Sequence, residues 1–201
     1  MHAPALSLFE LNWLPALYAH PQRWGAWAPY RPEALHDAMR LVQRVSGLLL
    51  GAQGLWRRSA SALAPAQDFV LWPDAAVHAA AQRLGCVAVA GRVRHAIARA
   101  EVLHSLALLG PAGRDQALAD TAAWPALAAL LPPSQPLPRQ VADVVLLGAG
   151  VMAGLLESRD SGLQDRFVLR FAPGQLDVQT LAPAQAEEAA ALLQSLPKAA
   201  S

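Results

Sequence analysis

A single cysteine, Cys86, excludes an internal disulfide and a thiolate metal cage, and it reads as a small buried hydrophobe in a reducing compartment. Charge is sparse as well. Charged residues make up 15% of the 201 against 54% hydrophobic, the reverse of the balance that keeps a chain disordered. Neither sign dominates: sixteen basic side chains against fifteen acidic ones give +1, so no electrostatic case exists for nucleic acid or anionic lipid as the main partner. Long apolar runs are missing too. The longest uncharged stretch, Thr121 to Pro138, is broken by Pro125, Pro132, Pro133, Pro136 and Pro138 and cannot wind into the unbroken helix of ~20 residues that crosses a bilayer. The opening Met1-His2-Ala3-Pro4 has no cationic n-region, and Glu10 and Asn12 interrupt any apolar h-region, so the chain reads as one that stays in the cytoplasm.

What is present suits one domain over residues 1–201, mainly α with a small β element, an α+β class. Residues 1–32 form an aromatic and proline-rich segment. Pro4, Pro15, Pro21, Pro29 and Pro32 limit it to short helices or extended pieces, and Phe9, Trp13, Tyr18, Trp24, Trp27 and Tyr30 are half of all the aromatics. A helical body follows over 33–157. Leu35, Ala38, Met39, Val42, Val45 and Leu49 mark an amphipathic helix ending near Gly51, with Asp37, Arg40 and Arg44 facing elsewhere. Gly51 to Pro65 reads as a loop or short helix, and Phe69 to Trp72 as a short extended piece. Pro73-Asp74 opens a helix whose stop is Gly85, a second helix runs from Gly91 to Gly110-Pro111, and two shorter pieces, Asp115 to Trp124 and Pro125 to Leu131, lead to a proline connector. Arg139 to Glu157 is a further helix. Over 163–197 the period changes: Phe167, Leu169 and Phe171 alternate with Val168 and Arg170, Pro173-Gly174 supplies a turn, and Leu176, Val178 and Thr180 return, which predicts a β-hairpin before a terminal helix opening at Pro183.

Few residues suggest chemistry. Gly148-x-Gly150-x-x-Ala153 after an apolar run matches a dinucleotide fingerprint, whose glycines admit a pyrophosphate to a helix N-terminus. Only 51 residues follow Gly150, too few for most of a doubly wound sheet. As one helix the stretch sorts Arg139, Asp143 and Glu157 away from Val144, Val151 and Met152, and the glycines then serve close helix approach. NAD(P) binding here is the alternative to the reading below. Ser105 in Leu103-His104-Ser105-Leu106-Ala107 lacks the glycines of a nucleophile elbow, and His104 falls on the apolar side as a hydrogen-bonded core histidine. The other histidines show neither the pairing nor the cysteine partner of a zinc site, and no carboxylate pair is set for acid–base work. The reading is therefore no catalytic, cofactor or metal residues. Trp24, Trp27, Tyr30 and Arg31 have the composition of a binding hot spot, and Arg57, Arg58, Arg92 and Arg99 are candidate charged contacts.

The opening Phe9-Glu10-Leu11-Asn12-Trp13-Leu14-Pro15-Ala16-Leu17-Tyr18-Ala19-His20, the central Arg83-Leu84-Gly85 with Gly91-Arg92-Val93-Arg94-His95-Ala96-Ile97, and the exit Leu108-Leu109-Gly110 resemble the SctK (YscK-type) family. The likeness runs over most of the chain as spaced identities, and Ser59 to Phe69 and the proline connector lie outside it. The resemblance implies a non-enzymatic cytosolic adaptor of the type III secretion sorting platform. Such a protein joins the forkhead-associated-like cytoplasmic domain of the inner-membrane ring protein SctD to the pod protein SctQ, and through the pods meets the stator SctL and the ATPase SctN. It would sit peripherally at the cytoplasmic face of the inner membrane.

Overall fold

Ser7 starts the first helix by reciprocal capping: its hydroxyl accepts from the Glu10 amide at 3.2 Å while the Glu10 carboxylate accepts from the Ser7 amide at 2.8 Å. Helix α1 covers Leu8–Trp13 and ends two residues before Pro15. The computed structural model describes residues 5–32, 35–57, 59–60, 62–156 and 162–196, and every regular element among them is helical. Two compact units emerge. The described residues of the first come from Met1–Val77 and Leu156–Leu176, and those of the second from His78–Leu155 and Asp177–Pro197.

In the first unit, short 3-10 helices at Pro15–Leu17 and Pro21–Tyr30 carry the proline-rich segment. The second of these bends at Gly25, whose φ of 55° lies in the region that favours glycine. Helix α2, Met39–Ala52, follows a 3-10 turn at Leu35–Ala38 and buries Val42, Val45, Ser46, Leu49 and Leu50, close to the stripe read from the sequence. The Ser46 hydroxyl accepts from the Ala16 amide at 3.1 Å, so this polar side chain is satisfied inside the core. Pro65–Leu71 is a 3-10 helix, not the extended piece expected at Phe69 to Trp72. Phe69 there meets Phe167 edge to face at 5.6 Å.

One glycine of this unit is open to a test. A Cβ on Gly47, in the middle of α2, would lie 3.7 Å from Cζ2 of Trp56, an ordinary contact. Alanine gains about 1 kcal/mol of helix propensity over glycine, so Gly47→Ala should raise the urea midpoint by the equivalent of about 0.5–1 kcal/mol. A fall in the midpoint would show that the Trp56 ring lies closer to Gly47 than an ordinary contact.

The second unit begins within helix α3, Asp74–Arg94, which runs straight through both glycines that the sequence marks as a stop and a start. Gly85 and Gly91 are packing positions: a methyl at Gly85 would overlap the Val144 carbonyl, and one at Gly91 the Ala128 carbonyl. The break comes later, and α4 runs over Arg99–Ala123 with a kink at Gly110, where φ is 71° and Pro111 follows. The short α5, Pro125–Ala128, has its first amides capped by a carboxylate distant in sequence, since Ala126 and Leu127 donate to Glu188 at 3.1 and 2.8 Å. Helix α6 covers Val141–Leu155, confirming the single-helix reading of the glycine stretch. Val89, Val93, Leu131 and Leu137 form one core cluster of this unit.

The predicted β-hairpin is absent. Leu163–Val168 is helix α7, followed by tight turns at Leu169 to Phe171. Residues i and i+4 share a side in a helix as well as in a strand, and the Phe167 and Phe171 rings meet at 5.6 Å, tilted by 55°, with that spacing. Leu176, Val178 and Thr180 lie in a segment without regular structure, and the Gln179 amide donates to the Gly150 carbonyl of α6 at 3.1 Å instead of to a second strand. The terminal helix α8, Pro183–Ser195, buries Ala189, Leu192 and Leu193.

Candidate interaction surface

Each residue singled out from the sequence has a definite place. Trp24 is core, with 2% of its surface exposed, and the Arg31 guanidinium lies 5.7 Å over its ring. Trp27 is half-buried and Tyr30 is 68% exposed, with their rings 6.3 Å apart. Arg44 of α2, which the sequence pattern sets off the apolar stripe, sits 4.9 Å over the Trp27 ring. The Arg57 side chain and Arg58 lie outside the described residues.

A second exposed aromatic pair adjoins α2. Phe9 and Trp13, one turn apart on α1, are 63% and 37% exposed, and the Trp13 ring lies 6.3 Å from that of Trp56. Trp56, half exposed, is laid on a floor of glycine: its ring atoms sit 3.5 and 3.7 Å from where a Cβ of Gly51 or Gly47 would be. Leu48, beside that floor, is 54% exposed. At 100° per residue, Arg40, Arg44, Gly47, Leu48 and Gly51 share one side of α2, and Arg40 and Arg44 are both exposed. The sequence signals that could have found this surface are the i, i+4 spacing of Phe9 and Trp13 and that of Gly47 and Gly51.

Buried cations hold the framework behind it. Arg166 is fully buried, donating to the carbonyls of Gly162, Leu55 and Asn12 at 3.3, 3.2 and 3.4 Å. Asn12 exchanges two hydrogen bonds with the Ala60 backbone, at 2.8 and 3.1 Å. Burial pushes the Tyr18 hydroxyl above the ordinary phenol range, with Arg166 and Arg170 pulling the other way, and that hydroxyl donates to the Leu11 carbonyl at 2.8 Å.

In the second unit one of the two candidate charged contacts is engaged within the chain. Arg92 donates to Glu101 at 2.6 Å and to the Gln135 carbonyl at 2.8 Å, which holds the Glu101 carboxyl below its usual value, while Arg99 stays exposed. His104 donates to the Pro138 carbonyl at 2.8 Å, so the expected hydrogen bond is present, but the side chain is only half-buried and does not belong to the core. Ser105 is buried within α4 and donates to Val102 one turn back. Burial raises the Cys86 thiol, an unreactive setting.

Gly148, Gly150 and Ala153 are interior positions of α6 rather than a strand-to-helix turn. The notch at Gly148 is filled by the Ala81 carbonyl and the Gly85 amide of α3, and the notch at Gly150 by the Asp177 carbonyl. The approach a pyrophosphate would need is taken by the chain's own backbone. Among the described residues no three His, Cys, Asp or Glu side chains gather as a metal set, and no helix is long and apolar enough to cross a membrane. No family model, curated protein or solved structure matches the chain.

Proposed function

We propose that the protein is a non-enzymatic adaptor of the type III secretion sorting platform, joining the forkhead-associated-like domain of SctD to the pod protein SctQ. The observation that carries this reading is the set of exposed aromatic side chains of the first unit: Phe9, Trp13, Tyr30 and Trp56 stay in contact with water, whereas Trp24, Phe69 and Phe167 are buried. Monomeric proteins seldom leave contiguous apolar area of more than a few hundred Å² uncovered, and aromatic and arginine side chains are the usual anchors of an interface. Phe9 and Trp13 also belong to the opening segment that resembles the SctK family. Residue placement in the second unit suits a scaffold: its glycines bring helices and backbone together, and its ion pairs are turned inward on the chain.

Co-purification tests this. Tagged full-length protein should retain both the SctD cytoplasmic domain and SctQ at micromolar concentration, each offered separately and then together. Retention of neither partner overturns the reading, and retention of one alone leaves a binding protein that is not a bridge.

A further inference from the structure

We propose that the outer face of α2, with the tryptophan pair beside it, accepts an acidic amphipathic helix from a partner protein. The inference concerns the chemistry of the occupant and does not rest on the secretion assignment. The surface has two halves. Toward the C-terminal end of α2, Leu48, Trp56, Trp13 and Phe9 offer apolar contact, and the glycine floor keeps Trp56 flat against the helix. One and two turns upstream, Arg44 and Arg40 point to solvent from the same side.

Charge complementarity chooses the occupant. The first sixty residues contain six arginines and three carboxylates, although the whole chain is almost neutral. Of those carboxylates, Glu10 is engaged with the Ser7 amide and hydroxyl at 2.8 and 2.7 Å. A ligand that fits must therefore be apolar along one ridge and anionic at one end. An extended strand would need a sheet edge to join, and the regular elements described here are all helices. A helix with aliphatic residues at i, i+3, i+4 and i+7 needs only side-chain contact, and Arg44 can meet a carboxylate in a two-pronged bond while still stacked on Trp27.

The test uses the full-length protein and three synthetic peptides of about 18 residues, or five helical turns: an amphipathic helix with leucines on one face and glutamates elsewhere, the same peptide with lysine for glutamate, and a proline-rich peptide with the charge of the first. Tryptophan fluorescence and calorimetry at low salt should give micromolar binding of the acidic helix, on the order of tenfold tighter than either alternative and weakening as salt screens it. Leu48→Glu should cost on the order of tenfold in that affinity, and R40E/R44E should invert the preference toward the lysine peptide. All three substituted residues are exposed, and circular dichroism checks that the helices persist; should the double variant fail to fold, the wild-type salt dependence carries the same information. Equal or tighter binding of the lysine or proline-rich peptide overturns the proposal, as does binding that ignores both variants. Self-association lost in Leu48→Glu would make a second copy of the chain the occupant and overturn it equally. Loss of peptide binding with SctD and SctQ still retained rejects this surface and leaves the adaptor reading standing. The converse result rejects the adaptor and keeps the surface.

Discussion

Gly148→Ala is expected to destabilise the second unit by about 2–4 kcal/mol, against a helix propensity that favours alanine by about 1 kcal/mol. Gly148 is fully inside α6, and a methyl group there would overlap the Ala81 carbonyl oxygen and crowd the Gly85 amide. Those atoms belong to the backbone of α3, so relief requires α3 and α6 to move apart along their whole contact rather than one side chain to turn. The contact is reciprocal, because Gly85 faces the Val144 carbonyl in the same way. Gly150→Ala should cost less, about 1–2 kcal/mol, since the carbonyl it meets belongs to Asp177 in a segment without regular structure, held to α6 nearby by the Gln179–Gly150 hydrogen bond, and not to a packed helix. Urea unfolding followed by circular dichroism measures both, and amide exchange in α3 and α6 assigns the loss to this unit. Stabilisation by Gly148→Ala would mean that the two helices are not in backbone contact and that the glycine is an ordinary exposed helix position.

The helices with a clean apolar period were readable before any coordinates. Val42, Val45 and Leu49 face inward in α2, and the sorting of Asp143 away from Val144 and Val151 identified α6 despite its fingerprint-like glycines. Glycine itself was the main source of error. Gly85 and Gly91 carry the local signature of helix ends, but that signature cannot distinguish a residue that ends a helix from one that lets a neighbouring backbone touch it. Gly110 did mark a break, yet one that α4 passes as a kink. The misread hairpin has a related cause. Phe167 and Phe171 satisfy both periods, and the deciding fact is which partner the following segment finds, here the Gly150 carbonyl. That partner lies far off in sequence, where no local pattern reaches.

The binding surface was legible in its ingredients rather than its assembly. Composition pointed to the aromatics of the first 32 residues, but exposure divides them: Trp24 fills the core while Phe9 and Tyr30 remain in water. Arg44 and Trp56 lie outside that segment, and they join the surface only because α2 sets Arg44 over Trp27 and its glycines make room for Trp56 beside Trp13. Arg170, assigned from alternation to the outer side of a strand, turns out to be one of the most heavily bonded side chains in the first unit.

Replacing Arg170 should therefore be more damaging than any surface charge change: Arg170→Ala is expected to cost about 3–5 kcal/mol. Its side chain is 4% exposed and donates to the carbonyls of Val70 and Trp72 at 2.8 and 3.0 Å, with the Asp74 carboxylate at 2.7 Å and the Tyr18 ring 5.6 Å away. Asp74 is 75% exposed, so water screens that pair and Asp74→Asn should cost less than about 1 kcal/mol. The larger share of the loss comes from the two carbonyls, which no other group is placed to satisfy in the same geometry. Arg170→Lys should recover only part of it, because an ammonium cannot span acceptors that a planar guanidinium reaches together. Equal damage from Asp74→Asn would transfer the effect to the ion pair and refute this assignment. Alkaline unfolding supplies a second readout. The folded state holds the Tyr18 proton above the ordinary phenol value of 10.0, whereas the unfolded chain releases it there, so the unfolded state binds fewer protons and stability falls as pH rises past that value. Arg170 is one of the two cations that moderate this shift, and removing it leaves Tyr18 still harder to ionise in the fold. Tyr18 accounts for a difference of at most one proton, so its contribution should fall with the same slope above pH 10 in parent and variant, and in the variant continue to a higher pH, on top of the constant loss seen at neutrality.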